Sequence, residues 1–486
     1  MARTELPFSL QLDFSGEGTL ARRLARSIVQ ALAEGQLSDG DRMPSTRALA
    51  KHKRVSRSAA VDAYEELIAS GFLVARAGSA TMVEEGARRA ALSGVRTSSM
   101  PRTTPPRGGE PSQCADSPRY NLLPGFPDPV LLNNQSWRSA WRKAAAGSTA
   151  DWDDSHPKEH HAHQSPYHFF PDLRLALADH IRRTRGIVCA PEDIFIFPGF
   201  AVALRILVPT LVNHAGPIAF ENPGFVSGRR ALEQVGYRLR PITVNHDGIS
   251  VDHLKSADVA VYVTPAHQYP LGARMSVDRR RKLLEWAAAD DRLIFEDDYD
   301  GEFRYDVPPM PALRSMNLGG NHVVYLGTAS KVLSRDLRIA WAVVPERFRE
   351  IVRQRVISQG DYANPVAARA LTYMLESGSM IRQIASSQRT YGARRAALTA
   401  ALNKQLPEAT LHGIDAGLHL VLTHPRLRDD VAIVRKLASQ GLICVALSET
   451  YLSNEESRSG LICGYSRLPE SLAASAAGLL ADVINN

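Results

Sequence analysis

The chain has 486 residues, which is long enough for two or three domains. Its formal net charge of +7 permits a polyanionic partner without requiring one. The four cysteines show no metal-ligand spacing, and a chain of this length is not a disulfide scaffold. No apolar run reaches the ~18 residues of a membrane span, and the first residues lack the apolar core of a signal peptide. We therefore expect a cytoplasmic protein with no membrane partner.

Three helices are predicted near the N-terminus. The first runs from Thr19 to Glu34 and ends at Gly35. Two more are expected to begin after Ser45 and Ser56, because serine is a favoured N-cap residue. The last of them ends at Gly71. Four-residue spacing places the apolar residues of the first helix on one face: Leu20, Leu24, Ile28 and Leu32.

A hairpin is predicted after the third helix, where two short apolar segments flank Ala77-Gly78. Three helices and a hairpin are the outline of a winged helix-turn-helix, in which one helix enters the DNA major groove. This pattern predicts a DNA-binding domain over residues 15–86. The alternative is a small helical subdomain with a solvated basic face.

Basic residues and helix starts are concentrated where such a domain would meet DNA. No acidic residue lies between Arg42 and Arg57. Helix N-termini at Ser45 and Ser56 present backbone N–H groups that suit phosphates. The residues predicted to contact DNA are Arg42, Ser45, Arg47, Ser56, Arg57, Ser58 and Arg76.

The segments PSTRALA (44–50) and VSRSAAVDAYEELIASGFLVARAGSATMV (55–83) resemble the GntR-type winged helix. The resemblance implies a double-stranded DNA operator as a partner. The chain departs from the family at Ala80, where the wing usually carries glycine, because alanine takes a positive φ only at a cost. It also has Lys53-Arg54 where a Leu-Gly pair is common.

A linker is predicted from residue 87 to residue 118. The segment is rich in Pro, Gly, Ser, Thr and Arg and shows no apolar periodicity. Such a composition cannot bury enough apolar surface to fold, so we expect a flexible tether to a large domain over residues 119–486. Within that domain the histidine-rich segment 151–168 is interpreted as a solvated insertion rather than a Zn²⁺ or Ni²⁺ site, and no metal site is predicted.

Strand and helix signals alternate through the large domain. This alternation predicts an α/β fold with a largely parallel sheet and helices on both faces. Ligands of such sheets bind at the carboxyl ends of the strands. The residues able to bind a ligand or react with it follow the predicted strands at these ends: Gly199, Asn222 to Phe225, His267 to Gly272, Asp297 to Tyr299, and Lys331.

These residue types suit an aldehyde cofactor with a pyridine ring. Lys331 follows a predicted buried strand, where burial lowers the pKa of an amine and favours imine formation. Asp297 can keep a pyridine nitrogen protonated. Tyr299 can donate to a phenolate oxygen, and Phe225 can stack on the ring. The simpler alternative for Lys331 is a surface lysine at a strand end.

A phosphate on this cofactor also has candidate ligands. They are Thr328, Arg338 and the backbone N–H groups of a helix that begins after Gly199. The carboxylates of Glu296 to Asp300 could instead hold Mg²⁺. That alternative leaves Lys331 and Arg338 without a role.

Several segments resemble the fold-type I aminotransferases: PGFPDP, RGIVCAPEDI, ENPGF, TPAHQYPLG, EDDYDGEFRY, YLGTASK and LRIAW. With the winged helix in front, the chain resembles the MocR subfamily of GntR regulators. The resemblance implies a three-layer aminotransferase-like domain that binds pyridoxal 5'-phosphate and forms a dimer. It implies that Lys331 is the Schiff-base lysine and that five residues contact the cofactor: Asp297, Tyr299, Phe225, Thr328 and Arg338.

Several departures from the aminotransferase pattern affect the expected site, and QSPYHF replaces the usual Y-x-x-P-x-G turn before Leu173-Arg174. Gly199-Phe200-Ala201-Val202 replaces G-A-Q-Q, so the phosphate must rely on the backbone of Gly199 and Phe200, on Thr328 and on Arg338. Tyr269 replaces an asparagine and either bonds the ring oxygen or packs. His267 either faces the cofactor or is a packed loop residue. Gly460 stands where aminotransferases carry the arginine that docks the substrate carboxylate.

The expected function is a transcriptional regulator that depends on pyridoxal 5'-phosphate. Its large domain would form a homodimer and sense the cofactor, or an amine or amino acid, through a lysine imine. The lost carboxylate clamp favours sensing over turnover. One alternative is an active aminotransferase with an appended DNA-binding head. Another is a regulator whose cofactor site is vestigial.

Overall fold

A computed structural model describes residues 12, 18–75, 80–98, 118–147, 170–305, 307, 310–413, 415–453 and 457–485. The chain divides into two units, Met1–Cys114 and Ala115–Asn486. The predicted hairpin tip at Ala77-Gly78, the Arg76 side chain and the histidine-rich segment 151–168 lie outside the described residues. No helix in the described ranges is long and apolar enough to cross a membrane.

The N-terminal unit has the predicted helices and hairpin. Thr19, Ser45 and Ser56 are N-caps whose side chains accept from backbone N–H groups, as expected for hydroxyl caps. Tyr64 donates to the carbonyl of Pro44 at 2.8 Å and ties the third helix to the start of the second. The elements are α1 (Leu20–Ala33), α2 (Thr46–Lys53), α3 (Arg57–Ala69), β1 (Leu73–Val74), β2 (Met82–Val83) and α4 (Ala87–Ser98).

The segment predicted to be a flexible linker begins with a helix. Residues Ala87–Ser98 form α4. Ala87 and Ala91 are one turn apart and are buried in the core of the N-terminal unit. Asp39 accepts from the backbone N–H groups of Gly86 and Arg88 at 2.9 and 3.0 Å, which satisfies the helix start. Short alanine side chains give a weak apolar signal in a sequence, yet they pack closely. The flexible segment that remains predicted begins after this helix.

A mixed eight-stranded sheet organises the large unit. Strand order in space is β4-β11-β10-β9-β8-β5-β6-β7. The strands β10, β9, β8, β5 and β6 are parallel, whereas β11 is antiparallel to both of its neighbours. Their bounds are β4 (Ile194–Phe197), β5 (Ile218–Asn222), β6 (Leu239–Asn245), β7 (Gly248–Ile249), β8 (Ala260–Val263), β9 (Leu293–Asp298), β10 (Val323–Thr328) and β11 (Ala340–Val343).

Helices cover both faces of this sheet, as predicted. Alternate residues of β10 point to opposite cores: Val324 and Leu326 pack with α8, α9 and α12, and Tyr325 packs with α7 and α13. The helices are α5 (Pro129–Leu132), α6 (Gln135–Gly147), α7 (Pro171–Arg185), α8 (Phe200–Leu211), α9 (Val226–Gln234), α10 (Val277–Ala289), α11 (Gly319–His322), α12 (Arg349–Gln359), α13 (Pro365–Glu376) and α14 (Ser379–Gln405).

The C-terminal part of the unit is a second layer of sheet and helix. A four-stranded antiparallel sheet, in the order β12-β13-β16-β15, packs with α14, α15 and α16. A short strand, β3 (Tyr120–Asn121), pairs with β14 and so leads the next residues toward β16. The remaining bounds are β12 (Thr410–His412), β13 (His419–Thr423), α15 (Asp430–Ser439), β14 (Leu442–Ile443), β15 (Val445–Ala446), β16 (Leu461–Gly464) and α16 (Ala473–Asn485).

Candidate functional site

The residues predicted to contact DNA lie on the surface of the N-terminal unit, apart from Arg76, which is not described. Ser45 accepts from the Ala48 N–H at 3.2 Å and caps α2. Ser56 accepts from the Ala59 N–H at 3.1 Å and caps α3. Both caps leave their helix starts at the surface, which is the position a phosphate needs. The exposed candidates are Arg42, Ser45, Arg47, Ser56, Arg57 and Ser58.

The cofactor candidates meet at one edge of the large sheet. Leu326 of β10 is in register with Asp297 of β9, so the loop that carries Lys331 begins beside this aspartate. The loop after β8 and the helix start after β4 lie at the same edge, because these strands run in the same direction. The expected location at strand carboxyl ends follows from this topology.

Lys331 lies three residues beyond β10 and is half-buried. Burial lowers the pKa of its amine to about 8, and the Arg335 guanidinium acts in the same direction. A fraction of the amine is therefore neutral near physiological pH, and the neutral amine is the form that attacks a carbonyl carbon. The backbone of Gly125 packs against the amine, since a Cβ there would lie 2.7 Å from Lys331 Nζ.

Asp297 is buried at the end of β9 and is 2% exposed. Its Oδ2 accepts a hydrogen bond from the Tyr262 hydroxyl, whereas Oδ1 is buried with no partner among the described residues. Burial raises the pKa of this carboxyl to about 8. An unpartnered buried acceptor next to Lys331 is a position for a donor such as a protonated ring nitrogen. Tyr262, on β8, was not predicted.

Tyr299 and His267 form one hydrogen-bonded group with Asp300. The Tyr299 hydroxyl lies 3.1 Å from His267 Nδ1, and the same nitrogen lies 3.1 Å from Asp300 Oδ2. All three residues are buried, and burial raises the pKa of the Tyr299 hydroxyl, so the phenol keeps its proton. His267 therefore contacts the predicted phenolate donor, which places it in the wall of the site behind Tyr299.

Aromatic side chains line the same space. The Phe225 ring is parallel to the Tyr299 ring at 6.4 Å between centroids and meets the Tyr269 ring edge-on at 5.4 Å. Tyr269 also contacts Tyr299 and His419. The sequence allowed Tyr269 either to bond the ring oxygen or to pack, and these ring contacts show it packing.

The phosphate candidates lie at the start of α8. The Arg338 guanidinium donates to the Pro198 carbonyl at 3.3 Å and lies beside Gly199, which is the N-cap residue of this helix. Phe200 is the first residue of the helix, so its N–H belongs to the first turn, where N–H groups have no partner within the helix. Thr328 is buried, and its hydroxyl contacts the Ile339 carbonyl and the Ser330 N–H, so it holds the lysine loop together.

The acidic run that could have bound Mg²⁺ is divided among separate partners. Glu296 accepts from the backbone N–H groups that follow Ala312, and burial raises its pKa to about 7. Asp298 pairs with Arg185 and accepts from the Tyr325 hydroxyl. In the part of the chain that the structure describes, no group of three side chains is arranged to hold a metal ion.

Glu221 holds the loop after β8 against β5. Its Oε2 accepts from the Thr264 hydroxyl at 2.5 Å and from the Thr264 N–H at 3.2 Å. The Gln268 amide lies 3.4 Å from the same oxygen. Burial raises the pKa of this carboxyl to about 7. The network fixes the peptide between Thr264 and Tyr269 and thereby positions His267.

The position expected for a substrate-docking arginine is closed. Gly460 is buried, and a Cβ there would lie 2.8 Å from the Leu447 side chain. Arg458 is exposed and lines a cleft of about 830 Å³ together with His412, and Lys331 does not line this cleft. Two other arginines, Arg335 and Arg467, lie near Lys331 and were not predicted.

Comparison with known proteins divides the chain in the same way as its fold. Residues 20–83 match the family described as bacterial regulatory proteins, gntR family. Residues 138–466 match the family described as aminotransferase class I and II.

Relatives with both parts cover nearly the whole chain. The pyridoxine biosynthesis transcriptional regulator PdxR of Corynebacterium glutamicum is 31% identical over 447 residues, 92% of this chain and 92% of that protein. The probable rhizopine catabolism regulatory protein MocR of Rhizobium meliloti is 29% identical over 476 residues, 94% and 92% of the two chains.

A solved archaeal alanine:glyoxylate aminotransferase has the same fold as the large unit. Its TM-score is 0.68 at 24% identity, and the alignment covers 76% of this chain and 91% of that one. The winged helix, the aminotransferase fold and the full-length relatives agree. The chain belongs to the MocR-type members of the GntR family of DNA-binding transcriptional regulators, in which a helix-turn-helix domain is joined to an aminotransferase class I and II domain.

Proposed function

We propose that this regulator is controlled by pyridoxal 5'-phosphate bound at Lys331, or by an amine or amino acid that exchanges with that lysine. The observation that carries the proposal is a buried Asp297 oxygen without a hydrogen-bond partner among the described residues, within electrostatic reach of Lys331. A lysine of lowered pKa and a buried carboxyl with one oxygen open to a further donor are what an aldehyde on a pyridine ring requires. The residues present therefore fit this cofactor.

Each candidate residue has a role toward the cofactor. Asp297 would pair with the ring nitrogen, and Tyr299 would donate to the ring oxygen. Phe225 would pack on the ring. Arg338 and the helix start at Gly199 and Phe200 would hold the phosphate, with Thr328 fixing the loop.

When bound, the cofactor supplies an aldehyde carbon at which Lys331 and a ligand amine can exchange as imine partners. Lys331 would be the amine that holds the aldehyde, and a ligand amine that took its place would release the lysine side chain. Burial lowers the pKa of this amine to about 8, so part of it is neutral near physiological pH. We propose that this release shifts a two-state equilibrium of the large unit and so changes DNA binding.

The regulator is proposed to act in the cytoplasm as a homodimer. Helix-turn-helix proteins bind two half-sites through paired copies, and their spacing sets the operator geometry. The large unit exposes apolar side chains that a second copy can cover, among them Val188 at 83% and Val130 at 77% exposure.

A catalytic aminotransferase with a DNA-binding head is the second candidate. The aminotransferase fold and the lowered pKa of Lys331 favour it, because a free amine near pH 8 can also move a proton. Half-transamination against a panel of amino acids distinguishes the two. Rapid conversion of the cofactor to its amine form at enzyme-like rates would favour the catalyst over the sensor.

The cofactor proposal is tested with the full-length protein. After incubation with pyridoxal 5'-phosphate and removal of excess, we expect imine absorbance at the edge of the visible range. Borohydride should remove this band and leave a pyridoxyl group on the peptide that contains Lys331, as peptide mass spectrometry detects. Lys331→Ala should lack both signals and keep its oligomeric state. Wild-type protein without imine absorbance would contradict the proposal.

A further inference from the structure

Two cysteines face each other across the edge of the C-terminal sheet. Strand β15 pairs with β16 so that Val445 lies opposite Ile462, and one further step along this register brings Cys444 opposite Cys463. Directly opposite residues of an antiparallel pair point to the same face, with their Cα atoms about 4.5–5.5 Å apart. Both cysteines belong to one apolar cluster, whereas Val445 and Ile462 pack in another. The two thiols therefore share a face at the spacing that a disulfide requires.

The two thiols are reduced, in contact and protected by the closed sheet. Cys444 is 5% exposed, and Cys463 is fully buried. The hydrogen bond with the Cys444 thiol, together with burial, raises the pKa of the Cys463 thiol well above its usual range. A thiolate attacks an oxidant, whereas a protonated buried thiol is inert. Oxidation of this pair therefore requires that the edge of the sheet opens.

Strand β15 is the element that opens this edge. It has two residues and lies at one end of the four-stranded sheet, with a neighbouring strand on one side only. Edge elements of this kind open locally at a lower free energy than global unfolding. Asp430 holds the end of the strand, because it accepts from the Ser448 hydroxyl and N–H at 2.6 and 2.8 Å and from the Gly460 N–H at 3.1 Å. These bonds set how often Cys444 meets solvent.

We infer that Cys444 and Cys463 form an oxidative modification site, in which a peroxide converts the two thiols into an intrachain disulfide. In the opened edge the Cys444 sulfur attacks the peroxide, an S–O bond forms as the O–O bond breaks, and water or an alcohol leaves. Cys463 then attacks the sulfur of this sulfenic acid, and water leaves as the S–S bond forms. The peroxide gains the two electrons that the two thiols lose. A thiol reductant reverses the reaction.

The disulfide would restrain a segment that holds one of the cofactor candidates. Strand β15 leads into residues 447–452, and the Gly224 N–H donates to the Thr450 carbonyl of this segment at 3.0 Å. The loop anchored in this way carries Phe225. A covalent bond between β15 and β16 removes the opened states of the edge, so residues 447–452 should open less often. The modification itself does not depend on the proposed cofactor.

Peptide mapping of the full-length protein tests the site directly. Trypsin places the two cysteines in separate peptides, residues 437–458 and 459–467, and neither peptide has another cysteine. After brief treatment with hydrogen peroxide, alkylation of the remaining thiols and digestion without reductant, we expect these two peptides to be linked. Dithiothreitol should abolish the linked mass. Hydrogen exchange of the amides of residues 447–452 should be about tenfold slower in the linked form.

A matched pair of variants tests whether the edge must open. Ser448→Ala removes the hydroxyl that donates to Asp430, and it should speed disulfide formation about fivefold, the size of one lost hydrogen bond. Ser439→Ala removes an exposed hydroxyl that donates to the Lys436 carbonyl at the end of α15, and it should leave the rate unchanged. Equal rates in Ser448→Ala and wild type would overturn the opening step.

The remaining outcomes are read from wild-type protein, so they do not depend on the folding of a variant. Two thiols that stay reduced under peroxide while the half-buried Cys189 is oxidised would overturn the site. A link from either cysteine to Cys189 or Cys114, or sulfinic acid at Cys444 without a link, would also overturn it. Cys189→Ala serves as a further control and should leave the linked peptides unchanged.

Discussion

The carboxyl of Asp297 is placed where its ionisation opposes folding. Burial raises its pKa to about 8 from an ordinary value of 3.8, and nearby Asp298 acts in the same direction. The neutral form is favoured in the folded state. Its contribution to stability is therefore complete below about pH 4 and is lost as the pH rises toward 8.

Asp297→Asn should remove this pH dependence from the cofactor-free protein. We compare the free energy of unfolding of the variant with that of wild type at two pH values. The difference should favour the variant by on the order of 2 kcal/mol more at pH 8.5 than at pH 5. Urea unfolding at the two pH values measures it. An equal difference at both would show that the carboxyl ionises freely. The same variant should lose cofactor binding, because the ring nitrogen then lacks its partner.

Tyr262 supports the charged form of this carboxyl through its hydroxyl. Tyr262→Phe should weaken cofactor binding about tenfold, since a hydrogen bond to a charged group contributes about 1.5–3 kcal/mol. Equilibrium titration of the imine absorbance gives the Kd. Tyr237→Phe is a matched control, because that buried hydroxyl donates to the Val212 carbonyl at the end of α8. Equal losses in both variants would assign the effect to stability alone.

Some site residues could be predicted from the sequence because the residues next to them determine where they lie. Others could not, because only the fold brings them to the site. Asp297 lies at the end of β9, and Tyr299 and Lys331 come shortly after β9 and β10, so local pattern and resemblance place them at the strand ends. Tyr262 lies inside the apolar strand β8, so the sequence predicts only a core residue there. Its role depends on the neighbouring strand, which a local pattern does not specify. Arg335 and Arg467 become neighbours only through Phe126, far from both in sequence.

Helix α4 was not predicted, because its buried face is formed by alanines, which give only a weak apolar pattern in the sequence. Its first residues pack on the N-terminal core through Ala87 and Ala91, and Asp39 satisfies its first N–H groups. The caps Ser45 and Ser56 were predicted because a hydroxyl before an apolar helix is a local signal. A carboxylate cap from a residue nearly fifty positions earlier is not local. The strand order of the large sheet also depends on crossovers that only the fold specifies.

Helix α4 offers a matched pair of substitutions. Ala91 is 1% exposed, whereas its neighbour Leu92 is 44% exposed. Ala91→Gln should destabilise the N-terminal unit by about 2 kcal/mol, because the longer polar side chain does not fit the core. Leu92→Gln should have little effect. Hydrogen exchange of the α1 amides in the full chain, read by mass spectrometry, distinguishes them. Equal protection in both variants would mean that α4 does not stabilise the unit.

At the scale of the whole molecule, DNA binding by the N-terminal unit should depend on salt. Arg47 and Arg57 are exposed beside the capped starts of α2 and α3. Replacing either by alanine should lower the slope of log affinity against log salt by about 1 if it contacts a phosphate. Arg22→Ala, an exposed arginine on α1, is the control and should leave the slope unchanged. A slope unchanged by all three would place the DNA elsewhere.

We expect chemistry at Lys331 in the large unit to change the affinity of the N-terminal unit for DNA. The most direct measurement is the affinity of full-length protein for DNA from upstream of its own gene, by fluorescence anisotropy, with and without pyridoxal 5'-phosphate. We predict that the cofactor changes the wild-type Kd by about tenfold, within the range of typical allosteric coupling. The Kd of Lys331→Ala should not respond. An equal cofactor response in both proteins, or a wild-type Kd unaffected once the imine has formed, would contradict the claim.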